Sequence, residues 1–439
     1  MKLVKLNWNL LFVGWLGLNG CLATHGAELA TNASPAWAAP AAAIERWQGW
    51  RFGLFIHYGP ISLKGTEISW SRAGERRDRQ EISTAGVPAA EYDRLYHQFD
   101  PTNFDAREWA GIARAAGVKY VVLTVKHHDG FAMFDSQLTD YKITRSPFGR
   151  DLAAELARAC RTDGLHVGFY YSPPDWHHPD FFTTNQARYV DYFHGQVREL
   201  LTRYGPIDEL WFDTTGGINT PETWDNQTLF PMIRKLQPEI MVTKRCGGWG
   251  DFETPEQHIG GFNNQQPWET CMTICRQWSW KPDDQLKSLA QCIHTLATCA
   301  GGDGNLLLNV GPRPDGTIEP RQVVRLKEIG AWLKRNGASI YETRGGPWKP
   351  GAYGVSTRED KTIYVHVFKW PGEFLSLPAI DVKIKSARIL GGDRVTVSQG
   401  DAGVIITVPA AQQDPIDTIV ALKLDRPALS VPVVDTSSR

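Results

Sequence analysis

Charge of one sign is missing from this 439-residue chain: 47 basic residues stand against 48 acidic ones, a formal net charge of −1. Such a balance provides no electrostatic footprint for nucleic acid and no polybasic membrane surface. Long apolar runs are absent beyond the N-terminal region, so no later segment reads as a membrane span. Glycine-rich phosphate loops of nucleotide or dinucleotide type are absent too, and no redox cofactor, nucleotide or obligate protein partner is expected. The cysteines lack a zinc pattern. Cys271/Cys275 and Cys292/Cys299 could each place two sulfurs on one helical face, but neither spacing is a strong metal motif. In an oxidising compartment some of the six later cysteines could pair, while Cys160, at the end of an amphipathic helical pattern, reads as a small buried hydrophobe.

What is present begins with an export signal. Lys2 and Lys5 precede the apolar run Leu10 to Leu18, which is too short to span a bilayer, and small residues follow. Leu18-Asn19-Gly20-Cys21 resembles a bacterial lipoprotein cleavage box, which would make Cys21 a lipid anchor. Asn19 fits that box poorly, so plain secretion to the periplasm or beyond stands beside it. Aromatic residues are abundant, with 17 Trp, 18 Phe and 13 Tyr. Most must fill a core, and some suit the C–H faces of sugar rings.

After a signal peptide and linker over residues 1–43, strand-like runs alternate with helical periodicity over 44–344. Phe52–His57, Lys119–Val125, Leu165–Tyr171, Glu209–Asp213, Ile240–Lys244 and Asn305–Val310 read as strands. Between them, Trp109, Ile112, Ala113 and Ala116 recur at helical spacing behind an Asp105 N-cap and before Gly117. Asp151 and Gly164 bracket a second helix, and Val190 to Tyr204 mark a third. This alternation predicts a parallel α/β sheet, best closed as a (β/α)8-type, TIM-like barrel, with an open doubly wound sheet as the alternative. Short β runs over 345–427 predict a C-terminal β-sandwich, and 428–439 a loose tail.

Chemistry-bearing residues fall where these strands end. His57 ends the first; Lys126, His127, His128 and Asp129 follow the second; Tyr171 and Asp175 to His178 follow the third. Trp211 and Asp213 end the fourth, and Arg245 follows the fifth. A parallel barrel gathers all such ends on one face, so these residues converge on one pocket. Histidines, tyrosine and arginine suit a ring of hydroxyls, and Trp70, Trp211 and Phe131 could form an apolar wall. Asp213 with a carboxylate from a later loop, Glu256 or Glu269, is the pair that glycoside hydrolysis needs. Taken alone, Asp213 could equally cap its loop. The His127-His128-Asp129 and His177-His178 groups could bind metal, yet they form no recognised ligand set, and no metal is expected. Neighbours in a strand face opposite sides, so placing Tyr171 in the pocket turns Tyr170 away from it.

At these residues the sequence resembles the α-L-fucosidases of glycoside hydrolase family 29, from about Trp47 to Gly354. The resemblance is carried by Arg51 to Gly59 (RFGLFIHYG), Lys126 to Phe131 (KHHDGF), Tyr170 to Trp176 (YYSPPDW), Trp211-Phe-Asp213, Trp268 to Cys271 (WETC) and Asn305 to Pro312 (NLLLNVGP). It implies a retaining exo-α-L-fucosidase with a barrel followed by a β-sandwich, Asp213 as nucleophile, and fucose contacts at His57, Trp70, His127, His128, Tyr171, Trp211 and Arg245. It favours Glu256 as acid/base with Glu269 in reserve, and Glu67 as a weaker first-loop contact. The Glu67–Glu91 segment resembles enzymes acting on α1,3- or α1,4-linked fucose in branched glycans. Trp278-Ser-Trp280 departs from relatives, which often carry Gly-Tyr after the first Trp. A catalytically silent fucose-binding protein and a metal-dependent hydrolase are the competing readings.

Overall fold

The computed structural model describes residues 37–214 and 219–436. The expected signal peptide, and with it Cys21, lies outside the described residues. Seven strands form one parallel sheet: β1 (Phe52–Ile56), β2 (Tyr120–Lys126), β3 (His166–Tyr171), β4 (Glu209–Phe212), β5 (Met241–Val242), β6 (Glu269–Thr273) and β7 (Asn305–Val310). Their spatial order is β5-β4-β3-β2-β1-β7-β6. Where eight regular strands were expected, seven occur and the regular sheet does not close. The extended segment 251–257 lies between its two edges and touches both by single parallel bridges, Thr243 to Phe252 on one side and Glu253 to Trp268 and Glu256 to Cys271 on the other. The paired glycines Gly247 and Gly248, both at positive φ, turn the chain between β5 and this segment.

The sheet curls around a small inner cluster that includes Phe55, Tyr120, Val122, Tyr170, Trp211, Cys271 and Leu307. These are alternate strand residues, and the intervening ones (Leu54, Val121, Phe169, Leu210, Leu308) join the larger core under the helices. Gly168 marks the crowded interior: a Cβ there would lie 2.8 Å from Val122. Helix α1 (Ala41–Trp50) packs at the strand starts, with Trp50 stacked on His166 at 4.0 Å between ring centroids. Of the outer helices, α2 (Ala106–Ala116) starts on Asp105, whose side chain accepts from the Arg107 and Glu108 amides, and stops at Gly117 in the left-handed region. α3 (Leu152–Thr162) begins on Asp151, which caps the Ala154 amide. α4 (Gln186–Arg203), α5 (Asn226–Leu236), α6 (Leu289–Gly301) and α7 (Pro320–Asn336) follow.

After Arg344 the chain turns antiparallel. β8 (Gly354–Glu359), β9 (Thr362–Val367), β11 (Ile384–Ile389) and β14 (Thr418–Leu424) build one sheet with Arg344–Gly345, and β10 (Leu375–Leu377), β12 (Thr396–Gly400) and β13 (Gly403–Thr407) build a second. Val365, Leu377, Val404, Ile406 and Leu422 share one core across them. At the join, buried Asp303 accepts from Arg51 at 2.7 Å and from Arg344 at 2.6 Å, and both charges would be stranded if it were removed. In the stretch 428–439, expected as a loose tail, Ala428 and Val431 are buried, and Arg358 donates to their carbonyls.

Candidate active site

The C-terminal strand ends open into a cavity of about 230 Å³. His57, Trp70, His127, Trp211, Asp213, Arg245 and Glu256, all expected from the sequence, line it together, and Tyr170, Arg79, Cys271 and Trp278 complete the wall. Asp213 follows β4 in the inward register set by Glu209 and Trp211. Its Oδ2 accepts from the Tyr170 hydroxyl at 2.8 Å, and its Oδ1 accepts from Arg245 Nη1 at 2.9 Å. The same Nη1 donates to Glu256 Oε2 at 2.9 Å. The two carboxylate oxygens are therefore separated by no more than twice that distance. Glu256 is aimed inward by its bridge to Cys271, which itself faces the cavity.

Arg245 is held from three directions. Nε donates to Thr254 Oγ1 at 2.6 Å, Nη2 to the Thr254 carbonyl at 2.9 Å, and its guanidinium carbon sits 4.9 Å from the Trp211 ring centroid. Burial lowers its proton affinity, but Asp213 above all outweighs that and holds its pKa above the ordinary value. The cation is permanent.

The three histidines are neutral. Burial pulls His57 down to about 4 against the opposing pull of Asn309 and Asp213, and it pulls His127 and His128 well below the usual range, helped by one another and by Lys126. Their neighbours decide the tautomers. Asn309 gives its Nδ2 proton to the Trp278 carbonyl, which turns Oδ1 toward His57 Nδ1 at 2.6 Å. Nδ1 of His57 is thus the protonated nitrogen, and Nε2 is free to accept. Ser69 Oγ accepts the Asp129 amide at 2.9 Å, leaving its own proton for His127 Nδ1 at 2.7 Å, so Nε2 of His127 donates. Ser172 donates to the Pro174 carbonyl and accepts from His128 Nδ1 at 2.6 Å. Of these, His57 and His127 line the cavity, and they offer one fixed acceptor and one donor at neutral charge, suited to hydroxyl groups.

Of the residues expected to bind fucose or to act as acid/base, three lie outside the lining: His128, whose Nε2 stands 3.6 Å from Asp213 Oδ2, Tyr171 and Glu269. Tyr171 faces the helices: its hydroxyl donates to Gln196 at 2.7 Å, and Lys126 sits over its ring. The side that faces the cavity belongs to Tyr170, which pairs with inward-facing Trp211 across the β3–β4 ladder and stacks on it at 5.6 Å. The signal was available, since Trp211 and Asp213 share a face and Val167, Phe169 and Tyr171 form the apolar stripe that belongs under helices. Glu269 is the third. It is fully buried beneath the cavity, where it accepts from Trp211 Nε1 at 3.1 Å and from the Tyr120 hydroxyl.

Supporting residues explain other motifs. Glu67 accepts the Trp278 amide at 3.0 Å and the Ser279 amide at 3.2 Å, fixing the loop that brings Trp278 within 4.8 Å of His57. Trp70 stands edge-on to His128 and Trp176, with the Arg76 guanidinium wedged over both indoles. Trp176 is anchored by Asp78, and Asp175 caps the His177 and His178 amides, so those two histidines belong to a structural loop. Phe131 is buried against Tyr96 and Tyr141 and does not reach the cavity.

The same chain matches known proteins over most of its length. A family profile described as alpha-L-fucosidase covers residues 21–338. The plasma alpha-L-fucosidase of Rattus norvegicus is 30% identical over 398 residues, 82% of this chain and 86% of the relative. Among solved structures, alpha-L-fucosidase isoenzyme 1 of Paenibacillus thiaminolyticus superposes with a TM-score of 0.80 at 37% identity, covering 87% of this chain and 99% of that one. A family 29 alpha-L-fucosidase of Bacteroides thetaiotaomicron, solved as a trapped covalent intermediate, gives a TM-score of 0.79 at 27% identity over 89% of this chain and 99% of that one. With its strand-end pocket and paired carboxylates now in place, the chain belongs to the α-L-fucosidases of glycoside hydrolase family 29.

Proposed function

We propose that this glycoside hydrolase releases terminal α-L-fucose with retention of configuration, through a covalent fucosyl-enzyme on Asp213. The observation that carries the mechanism is the shared Arg245 nitrogen, which keeps Asp213 Oδ1 and Glu256 Oε2 within twice 2.9 Å of each other. Retaining glycosidases hold their carboxyl groups about 5–5.5 Å apart, whereas inverting ones leave about 6.5–9.5 Å for a water. The covalent intermediate trapped in the Bacteroides thetaiotaomicron relative supports the same chemistry.

In this reading Asp213 attacks the anomeric carbon while Glu256 protonates the leaving oxygen; Glu256 then takes a proton from the water that hydrolyses the ester. Tyr170 and Arg245 orient the nucleophile by holding one oxygen each. His57 accepts from a sugar hydroxyl, His127 donates to one, and Trp70 and Trp278 wall the ring and the leaving group. The eighth barrel position is taken by segment 251–257, which has traded strand regularity for delivery of Glu256. Branched glycans with α1,3- or α1,4-linked fucose are the proposed substrates, and the chain is exported, with Cys21 as a candidate anchor.

The test is hydrolysis of 4-nitrophenyl α-L-fucoside and of a Lewis-type trisaccharide, with the first-formed fucose anomer followed by NMR. Release of the α anomer supports the proposal. Initial release of the β anomer refutes retention, and fucose binding without any turnover would mean a silent binding protein.

A further inference from the structure

Below the pocket floor lie two carboxyl groups that the proposed chemistry does not use. Glu209 opens β4 and Glu269 opens β6, and both point into the sealed interior of the curled sheet with no solvent contact. Glu269 accepts from the Tyr120 hydroxyl and from Trp211 Nε1, whereas Glu209 Oε2 accepts only from Trp47 Nε1, at 2.7 Å. Glu209 Oε1 is buried and meets no donor. Two ionised carboxylates cannot share such a site, so one holds a proton. The donors decide which. Glu269 receives two and is the member that ionises first; Glu209, whose bare Oε1 is satisfied only as an O–H aimed at its neighbour, is the acid. Burial above all, then the charge on Glu269, push Glu209 well above the usual carboxylate range; burial raises Glu269 too, to about 7, but hydrogen bonds from Tyr120, Trp211 and Glu209 hold it below its partner.

The charge on Glu269 connects upward. It holds the edge of the Trp211 indole, and the Arg245 guanidinium rests 4.9 Å from that ring's centroid while gripping Asp213 and Glu256. We propose that Glu209 and Glu269 form a shared-proton pair of positioning residues, in which the buried carboxylate of Glu269 fixes Trp211 and Trp211 seats the Arg245 clamp between the two catalytic carboxylates. This inference rests on the retaining fucosidase reading above. Glu269 is then no acid/base catalyst, although the sequence placed it in reserve for that role. A charged acceptor makes a stronger, more directional hydrogen bond to the indole than a neutral one, and negative charge at the ring edge favours a cation on the ring face.

The full-length enzyme and its Glu209→Gln, Glu269→Gln, Trp211→Phe and Glu269→Gln/Trp211→Phe variants would be compared on 4-nitrophenyl and 2,4-dinitrophenyl α-L-fucosides. Circular dichroism and thermal unfolding would confirm the fold. In Glu209→Gln an amide N–H replaces the shared proton, so kcat stays within about threefold of wild type. In Glu269→Gln the charge leaves the indole, and kcat falls on the order of 10–100-fold on both leaving groups alike, with KM changed far less and no gain from azide. The double variant is no worse than its poorer single parent, because both act through one contact. Equal losses in Glu209→Gln and Glu269→Gln would overturn the proposal, reducing the pair to core filling. So would additive losses in the double variant, or a Glu269→Gln defect confined to the poorer leaving group and relieved by azide, the mark of a catalytic acid. If Glu269→Gln does not fold, Trp211→Phe carries the test through the same kcat-against-KM split. A wild type that releases no fucose would instead overturn the function proposed above.

Discussion

His57 should make this protein lose stability on mild acidification, in an amount that can be isolated. Its imidazole is buried, hydrogen-bonded to Asn309 and held neutral down to about 4, mainly by burial. In the unfolded chain a histidine titrates near about 6.5. The unfolded state therefore binds the extra proton first, so stability is full above about pH 6.5 and is lost as pH falls toward the folded value. At about 1.4 kcal/mol per pKa unit, the loss is about 2 kcal/mol by pH 5 and about 3 kcal/mol by pH 4 from this group. Many carboxylates titrate over the same range, so the comparison must be differential. His57→Asn keeps a donor toward Asn309 and removes the titration. Urea unfolding at pH 7 and pH 5 should show the stability gap between wild type and variant shrinking by about 2 kcal/mol at the lower pH. A gap that stays constant with pH would refute the buried neutral histidine, and with it the assignment of Nε2 as an acceptor for a sugar hydroxyl.

Tyr170 and Tyr171 should separate cleanly. Tyr170→Phe removes the hydrogen bond to Asp213 and should cost roughly tenfold or more in kcat, about the worth of one charged hydrogen bond. Tyr171→Phe loses only the bond to Gln196 and should leave kcat/KM unchanged while lowering stability by about 1 kcal/mol. Glu256→Ala should slow 4-nitrophenyl α-L-fucoside by about 10²–10⁴-fold, and a 2,4-dinitrophenyl leaving group, which needs little protonation, far less; equal losses on both would remove Glu256 from the acid role. Glu67→Gln, which weakens the anchor of the Trp278 loop, should raise KM more than it lowers kcat, measured in the same assay.

Most of the fold can be read from the chain because hydrophobic period and caps agree. Asp105 and Gly117 bound their helix as expected, and Asn305–Val310 is the strand its apolar run announces. β6 escaped such reading for a physical reason. Its inward positions are Glu269, Cys271 and Thr273, polar or small because they serve the buried acid pair and the pocket, so Glu-Thr-Cys-Met-Thr lacks a strand's apolar signature. The segment around Phe252, between the sheet edges, is hidden likewise, since it bridges its neighbours at single points and carries Gly247, Gly248, Gly250 and Pro255 around them. Within the pocket, strand ends located the residues but not their facing. The tyrosine pair was resolved by register, which a single strand does not reveal and which Trp211 and Asp213 on β4 supply. Glu269 misleads in the same way: a carboxylate beside a tryptophan resembles a catalytic group, and only its depth below Trp211 shows that solvent and leaving group cannot reach it.

The central claim, a covalent fucosyl-enzyme on Asp213, is tested most directly by trapping it. Incubating the enzyme with 2-fluoro-fucosyl fluoride, followed by peptide mass spectrometry, should yield one fluorofucosyl adduct per chain, on the peptide carrying Asp213, with activity lost in proportion. Asp213→Ala should remain folded, take up no label and lose at least about 10³-fold in kcat. An active enzyme that forms no adduct, or forms it on another carboxylate, would contradict the account.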